Sequence, residues 1–467
     1  MTSRTLLLAT VAALGGCATF SQDGGFDAVQ SSVTERLGKE VKWVRSDADA
    51  EQVQATVKRL IATALTADDA VQIALLNNRG LQATYAELGI SEADLVQAGR
   101  LSNPRFAYLN VHSSPEIKIE RALTFDFMQI LTKPLAQRLE RRRFEATQLR
   151  VAAEALQVAV QTRKAYFNAV SAAQTASYMV DVKESAEAGA ELARRMARAG
   201  NWSKLNQARE QAFYAESTAQ LARARQNANS QREQLLRLMG LWGEDTNVRL
   251  AERLPDLPEL PNELTDVESA ALRQRLDIHA LRRDVEGLAE SLGLTKTTRF
   301  INVLELGPAE VRETGSPVKR GYELSVELPI FDWGGARVAK AESVYMQAIN
   351  RAAAIAINAR SEVRESYATY RTSFDLARHY RDEIVPLRKQ ISEENLLRYN
   401  GMLLSVFELL ADARDQVASI NAYIEALRDY WLADADLQMA LNGTSVANAP
   451  MRSGAPQMTT RGSSGAH

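Results

Sequence analysis

No proline occurs between Pro134 and Pro255, and the residues between them are rich in the strong helix formers Ala, Glu, Gln, Arg and Leu. The stretch 135–199 therefore reads as one helix. At 1.5 Å per residue, roughly 65 residues make a rod of about 100 Å, too long for a compact domain. Gly200-Asn201 ends the rod, and a return helix runs to about Met239. A second rod spans about 335–399, breaks at Asn400-Gly401 and returns to about Leu441. Pro386 falls inside this second rod and is expected to kink it. Helices of this length normally belong to coiled coils or tubular assemblies.

The second rod belongs to a repeat of the first. Leu123-Thr124-Phe125-Asp126-Phe127 matches Leu324-Ser325-Val326-Glu327-Leu328 at an offset of 201, and Arg163-Lys164-Ala165-Tyr166 matches Arg364-Glu365-Ser366-Tyr367 at the same offset. Arg198-Ala199-Gly200-Asn201 corresponds to Arg398-Tyr399-Asn400-Gly401. Leu65-Thr66 and Leu264-Thr265 each precede acidic residues, so each Thr reads as a helix N-cap. Two structural copies follow, 63–253 and 263–443, joined by the proline-rich connector 254–262.

Each copy carries a pair of candidate strands between its helices. Ile117, Ile119, Leu123, Phe125 and Phe127 alternate with Lys118, Glu120, Thr124 and Asp126, the period of a strand with one apolar and one polar face; Arg121 interrupts the apolar row. Residues 322–328 repeat the pattern. Weaker alternation marks 105–112 and 299–306 as their partners, with loops at 113–115 and 307–319. The segments approach the 9–11 residues a tilted strand needs to cross a bilayer. Four strands cannot close a membrane barrel, and lipid does not tolerate an open edge, so several chains must share one barrel if these strands are in a membrane.

The N-terminus reads as an address. Arg4 precedes the apolar run 6–14, which ends in Gly15-Gly16-Cys17, and Cys17 is the single cysteine of the chain. Residues 1–16 fit a lipoprotein signal peptide, with Cys17 lipidated and 17–62 as the anchored N-terminal segment. Beyond the first twenty residues no apolar run of about 18 exists to span a membrane as a helix. Residues 444–467 are low in complexity and read as a disordered tail.

Composition removes other classes of function. Lys plus Arg total 56 against 58 Asp plus Glu, a net charge of −2 with no electrostatic footprint for nucleic acid. The four histidines, at 112, 279, 379 and 467, are scattered, so no dedicated metal site is expected. There is no P-loop, dinucleotide turn or nucleophile elbow, and nothing marks an enzyme. No cofactor is expected apart from a covalent lipid on Cys17.

Four segments together resemble the TolC-like outer membrane factor family, its lipoprotein branch in particular, over about 60–443. They are Leu65-Thr66 through Ala74-Leu75-Leu76-Asn77-Asn78-Arg79-Gly80-Leu81, and Leu101-Ser102-Asn103-Pro104-Arg105-Phe106 leading into a strand. The third and most specific is Leu328-Pro329-Ile330-Phe331-Asp332-Trp333-Gly334-Gly335-Ala336-Arg337. The fourth runs from Arg398-Tyr399-Asn400-Gly401 to Glu408-Leu409-Leu410-Ala411-Asp412-Ala413. The first copy departs from the pattern, with Leu131-Thr132-Lys133-Pro134 where the second has its Gly-Gly turn.

The resemblance implies an α+β, mostly α chain in a homotrimer. Four strands per chain would make one shared 12-stranded outer-membrane barrel, and long antiparallel helical hairpins would form a periplasmic tunnel. The implied activity is a passive exit duct in the outer membrane of a Gram-negative bacterium, fed by a periplasmic adaptor and an inner-membrane pump. Phe125, Phe127, Leu324, Val326, Leu328 and Trp333 are then the lipid-facing candidates. Glu408 and Asp412, spaced i, i+4 on one helix face, are candidates for an acidic periplasmic gate. Gly200, Asn201, Trp202, Asn400, Gly401, Met402 and Leu403 are candidates for the adaptor-contact tip. Two other readings stand beside this one: a type I secretion duct, and a lipid-anchored periplasmic coiled-coil scaffold with no channel. The cargo and the class of pump are not readable from the residues.

Overall fold

The computed structural model describes residues 19–300 and 303–445. The expected signal peptide, the lipidation site Cys17 and all but the first two residues of the expected C-terminal tail lie outside the described residues. Among the described residues two helices come first, α1 (Phe26–Leu37) and α2 (Asp47–Ile61). The first copy then runs β1 (Ala64–Leu65), α3 (Ala67–Asn77), α4 (Arg79–Ala98), β2 (Arg105–Ser113), β3 (Glu116–Asp126), α5 (Phe127–Arg198) and α6 (Lys204–Met239). After β4 (Arg249–Leu250) the second copy repeats the order as α7 (Val267–Gln274), α8 (Leu276–Thr297), β5 (Leu304–Glu313), β6 (Lys319–Val326), α9 (Gly335–His379), α10 (Val385–Asn400) and α11 (Val406–Asn442).

The long rods are present, and their ends differ from expectation. Helix α5 has 72 residues, a length of roughly 108 Å. It begins at Phe127 and passes through Pro134, eight residues before the proline-free stretch starts. Its N-cap is Asp126, whose carboxylate accepts from the Gln129 amide at 3.0 Å. The second rod is interrupted at its proline. A π-helical turn at Tyr380–Ile384 absorbs the break, and Pro386 occupies the first turn of α10, where a missing N–H is tolerated. Among the described residues no helix is long and apolar enough to cross a membrane.

The two copies start differently. Thr66 caps α3 with a reciprocal box, Asp69 returning its carboxylate to the Thr66 amide. The expected counterpart, Thr265, does not cap α7. Its N-cap is Asp266 in the left-handed region at φ 55°, with no side-chain cap bond.

The largest buried cluster forms where the rods cross the short helices, around Tyr166, Phe167, Tyr370, Phe374 and Tyr430. The inter-repeat connector is docked across it. Leu254 and Leu257 are buried, Trp431 donates to the Pro255 carbonyl at 3.1 Å, and Arg381 donates to the Leu257 carbonyl at 3.2 Å. The N-terminal segment is likewise packed rather than loose. Phe26, Val29 and Val33 of α1 bury against Tyr85 and Leu88 of α4, while Val53 and Val57 of α2 join the main cluster.

Arg275, between α7 and α8, is fully buried. Its guanidinium meets Asp277 at 2.6 Å and Glu362 of α9 at 2.9 Å, and Ser445 also bonds to Glu362, so the chain stays anchored just beyond α11.

The sheet has four antiparallel strands in the order β2-β3-β5-β6, so β2 and β6 are open edges. β3 runs unbroken through Arg121. The expected loop at 307–319 shrinks to a turn at 314–318: β5, paired with β6 from Leu304 to Val311, continues through Gly307 and Pro308 to Glu313. Both residues resemble turn signals, yet each has a local use. Pro308 cannot donate, and the β3–β5 ladder skips there; Gly307 admits the Leu123 carbonyl so closely that no Cβ would fit. β6 begins at Lys319, ahead of the expected 322, and ends at Val326.

Candidate functional site

The register sorts the sheet into two unlike faces, because directly paired residues point to the same side. One face carries Phe106 and Leu123 as partners, then Phe125 with Leu306 and Leu324, and Leu304 with Val326. The other carries Arg105 with Thr124, Asp126 with Glu305 and Ser325, and Gly307 with Glu323. Arg105 bridges to Glu305 across β3 at 2.7 Å. Among the described residues nothing covers the apolar face: Phe106, Phe125, Leu324 and Val326 are all exposed. A sheet with one wet face and one bare apolar face has the alternation of an outer-membrane strand set.

Of the lipid-facing candidates, Phe125, Leu324 and Val326 lie on this apolar face. Phe127 is the first residue of α5. Leu328 and Trp333 lie past the end of β6, in the link to α9, where Phe331 is 99% exposed beside them. The apolar surface thus extends beyond the strands toward the helices. Arg142 and Arg143 near the start of α5 are paired with Glu145 and Glu140, while Arg138 and Arg141 stay exposed.

The far ends of the rods form two tight hairpins. In the first, Gly200 is left-handed at φ 76°, and the Asn201 amide donates back to the Met196 carbonyl at 3.0 Å. Ser203 then caps α6. In the second, the left-handed residue is Met402 at φ 58°, and the Leu403 amide donates to the Arg398 carbonyl at 2.8 Å. Ser405 caps α11. The rod ends at Asn400, as expected, with Gly401 as its C-cap at φ −80°, so the left-handed residue is the one after the glycine. The two tips superpose in sequence at an offset of 202, which the Ser203 and Ser405 caps mark, rather than at the offset of 200 that pairs their asparagine and glycine residues. Of the contact candidates, Met402 is 94% exposed, and Asn201 and Leu403 are also exposed, while Trp202 is half-buried.

The two acidic gate candidates part company. Glu408 is exposed and caps its own helix, accepting from the Ser405 amide at 3.1 Å and hydroxyl at 2.9 Å. Those bonds, the backbone one first, hold its carboxyl below the ordinary value of 4.5. Asp412 is only 8% exposed, with one buried oxygen lacking a hydrogen-bond partner, so the pair does not present one acidic face in the single chain.

Sequence reasoning missed a nearby ion pair. Glu210 of α6, 1% exposed, receives the Arg414 guanidinium of α11 at 2.6 Å. Arg414 also lies 4.5 Å over the Phe213 ring. Gly189 of α5 lets Leu410 of α11 approach to ordinary contact with the position its Cβ would take. Arg388 of α10 reaches Asp415 at 3.2 Å. Helix i, i+4 spacing finds pairs within one helix; nothing local links residues 204 positions apart.

No protein-family model matches the chain, and no curated protein does. Solved structures do. The CmeC outer membrane channel of Campylobacter jejuni aligns over 88% of this chain and 91% of its own, at 17% identity and a TM-score of 0.70. A membrane protein from Pseudomonas aeruginosa aligns over 83% and 92%, at 16% identity and 0.69. The open-state MtrE outer membrane channel of Neisseria gonorrhoeae aligns over 80% and 88%, at 18% identity and 0.65. At these identities the likeness is one of fold: long helical hairpins joined to a few strands, the fold of TolC-like outer membrane factors.

Proposed function

We propose that the chain is the exit duct of a tripartite efflux system, working as a homotrimer in the outer membrane. The four-stranded sheet carries this reading, because it is open at both edges and apolar on one face. A lone sheet of this kind is not stable in water or in lipid; three copies edge to edge make a closed barrel of twelve strands, with the apolar face to lipid and the polar face to the lumen. The rods continue each copy away from the membrane and assemble into the tunnel. The tips at Gly200–Ser203 and Met402–Ser405 are its periplasmic mouth and the contact for an adaptor, with Met402 and Leu403 as apolar anchors. Cys17 carries the lipid, and 19–62 strap that end of the chain to the helices. No step of chemistry is involved; the pump supplies energy and selects cargo.

Planar-bilayer conductance of the detergent-purified protein, with oligomeric mass measured on the same sample, tests this. A trimer with discrete conductance steps is expected. A monomer or dimer without conductance would sink the duct and favour the scaffold.

A further inference from the structure

On the apolar face of the sheet, one row departs from the rest. Arg121 of β3 pairs with Glu310 of β5, which pairs with Arg320 of β6, and Arg312 follows two residues along β5. Glu310 reaches Arg320 at 3.4 Å and Arg312 at 3.7 Å, and Arg121 lies 5.9 Å over the Tyr108 ring. Two of these guanidiniums, Arg312 and Arg320, share the one carboxylate of Glu310. With strands about 4.8 Å apart, Arg121 and Arg320 stand roughly 10 Å from each other. Arg312 and Arg320 are 57% and 82% exposed, and the single carboxylate of Glu310 balances only one of the three positive charges on this face.

The place of the row matters. On its inner side lie Phe106, Leu123 and Tyr322 of the apolar band. On its outer side Ile119 and Ile117 of β3 carry the same face on to the two hairpin turns, at the end of the sheet away from the helices. An arginine facing hydrocarbon at the bilayer midplane costs about 2–4 kcal/mol, a cost that vanishes at headgroup depth. The row therefore marks the interface of the distal leaflet. Guanidiniums bind phosphate bidentately, and a surplus of two positive charges per chain calls for an anionic partner.

We propose that Arg121, Arg312 and Arg320 bind the phosphate groups of lipid in the leaflet distal to the helices, clamping the barrel rim to its headgroups. This rests on the barrel reading above. In native mass spectrometry of the full-length protein, a bisphosphorylated glucosamine lipid should be retained and its dephosphorylated form should not. The R121Q/R320Q double variant should weaken retention by about tenfold or more, since each lost charge-assisted contact is worth upward of about 1.5 kcal/mol. Glu310→Gln removes the competing carboxylate and should strengthen it. Equal retention of both lipids, indifference to either variant, or displacement by inorganic phosphate at equal concentration would overturn the proposal. If R121Q/R320Q conducts as a trimer yet binds both lipids as the parent does, this proposal falls and the duct reading stands.

Discussion

Glu210 and Arg414 join the two helical hairpins near their tips, with a guanidinium-to-carboxylate distance of 2.6 Å and the acid buried. The pair ties α6 of the first copy to α11 of the second, so it resists separation of the hairpins within one protomer. Opening a tunnel mouth requires such neighbours to move apart. Glu210→Gln keeps the shape and removes the charge. It should cost the juncture about 2–3 kcal/mol, Arg414 retaining part of its hydration. Larger or more frequent conductance steps are expected, with trimer mass unchanged. The swapped pair E210R/R414E should recover part of the loss; a swap no better than the single variants would deny the coupling.

Met402 takes a left-handed conformation that costs a non-glycine residue about 1–2 kcal/mol. Gly200 takes the same role at the other tip without that cost. Met402→Gly should therefore stabilise the hairpin while deleting its most exposed apolar side chain. Met402→Asp shortens the side chain and puts a charge in place of the apolar group. Both should impair efflux in cells while the purified trimer remains intact. Full efflux in both variants would remove the tip from the adaptor contact.

Gly307 is the one position in the sheet where an added Cβ would meet the neighbouring strand's backbone, at the Leu123 carbonyl. Gly307→Ala should break the β3–β5 pairing and abolish heat-modifiable trimers in outer-membrane fractions. Gly321→Ala, whose Cβ would meet open space on β6, serves as the control and should assemble normally. Loss of assembly in both would point to edge packing between protomers instead.

These sites show which parts of the fold were legible. Rod length, the repeat and the alternating face follow from composition and period, which are local properties. The strand at 304–313 was hidden because Gly307 and Pro308 carry turn chemistry while serving a ladder. The break at Asn400-Gly401 was legible, but the left-handed residue of that hairpin was not, because the chain uses Met402 where a glycine stands next to it. The Glu210–Arg414 pair was invisible because only tertiary packing brings its members together. Spacing alone put Glu408 and Asp412 on one face; depth in the helix pair then separated them.

Glu408 allows charge to be tested apart from structure. Gln at the third position of a helix supports the same reciprocal cap as Glu, so Glu408→Gln should leave the tip folded. If the carboxylates of three protomers line the mouth, the variant should lose cation preference in reversal-potential measurements under a salt gradient. The pH dependence has a defined sign. The Ser405 amide and hydroxyl bind the charged form and lower the carboxyl from 4.5, so the cap's contribution is present above that value and is lost as pH falls through the lowered one. Cation preference should therefore survive from pH 7 to 5 in the parent and fade only below about 4.5. A preference that fades between pH 7 and 5, or that persists in Glu408→Gln, assigns the selectivity to other groups.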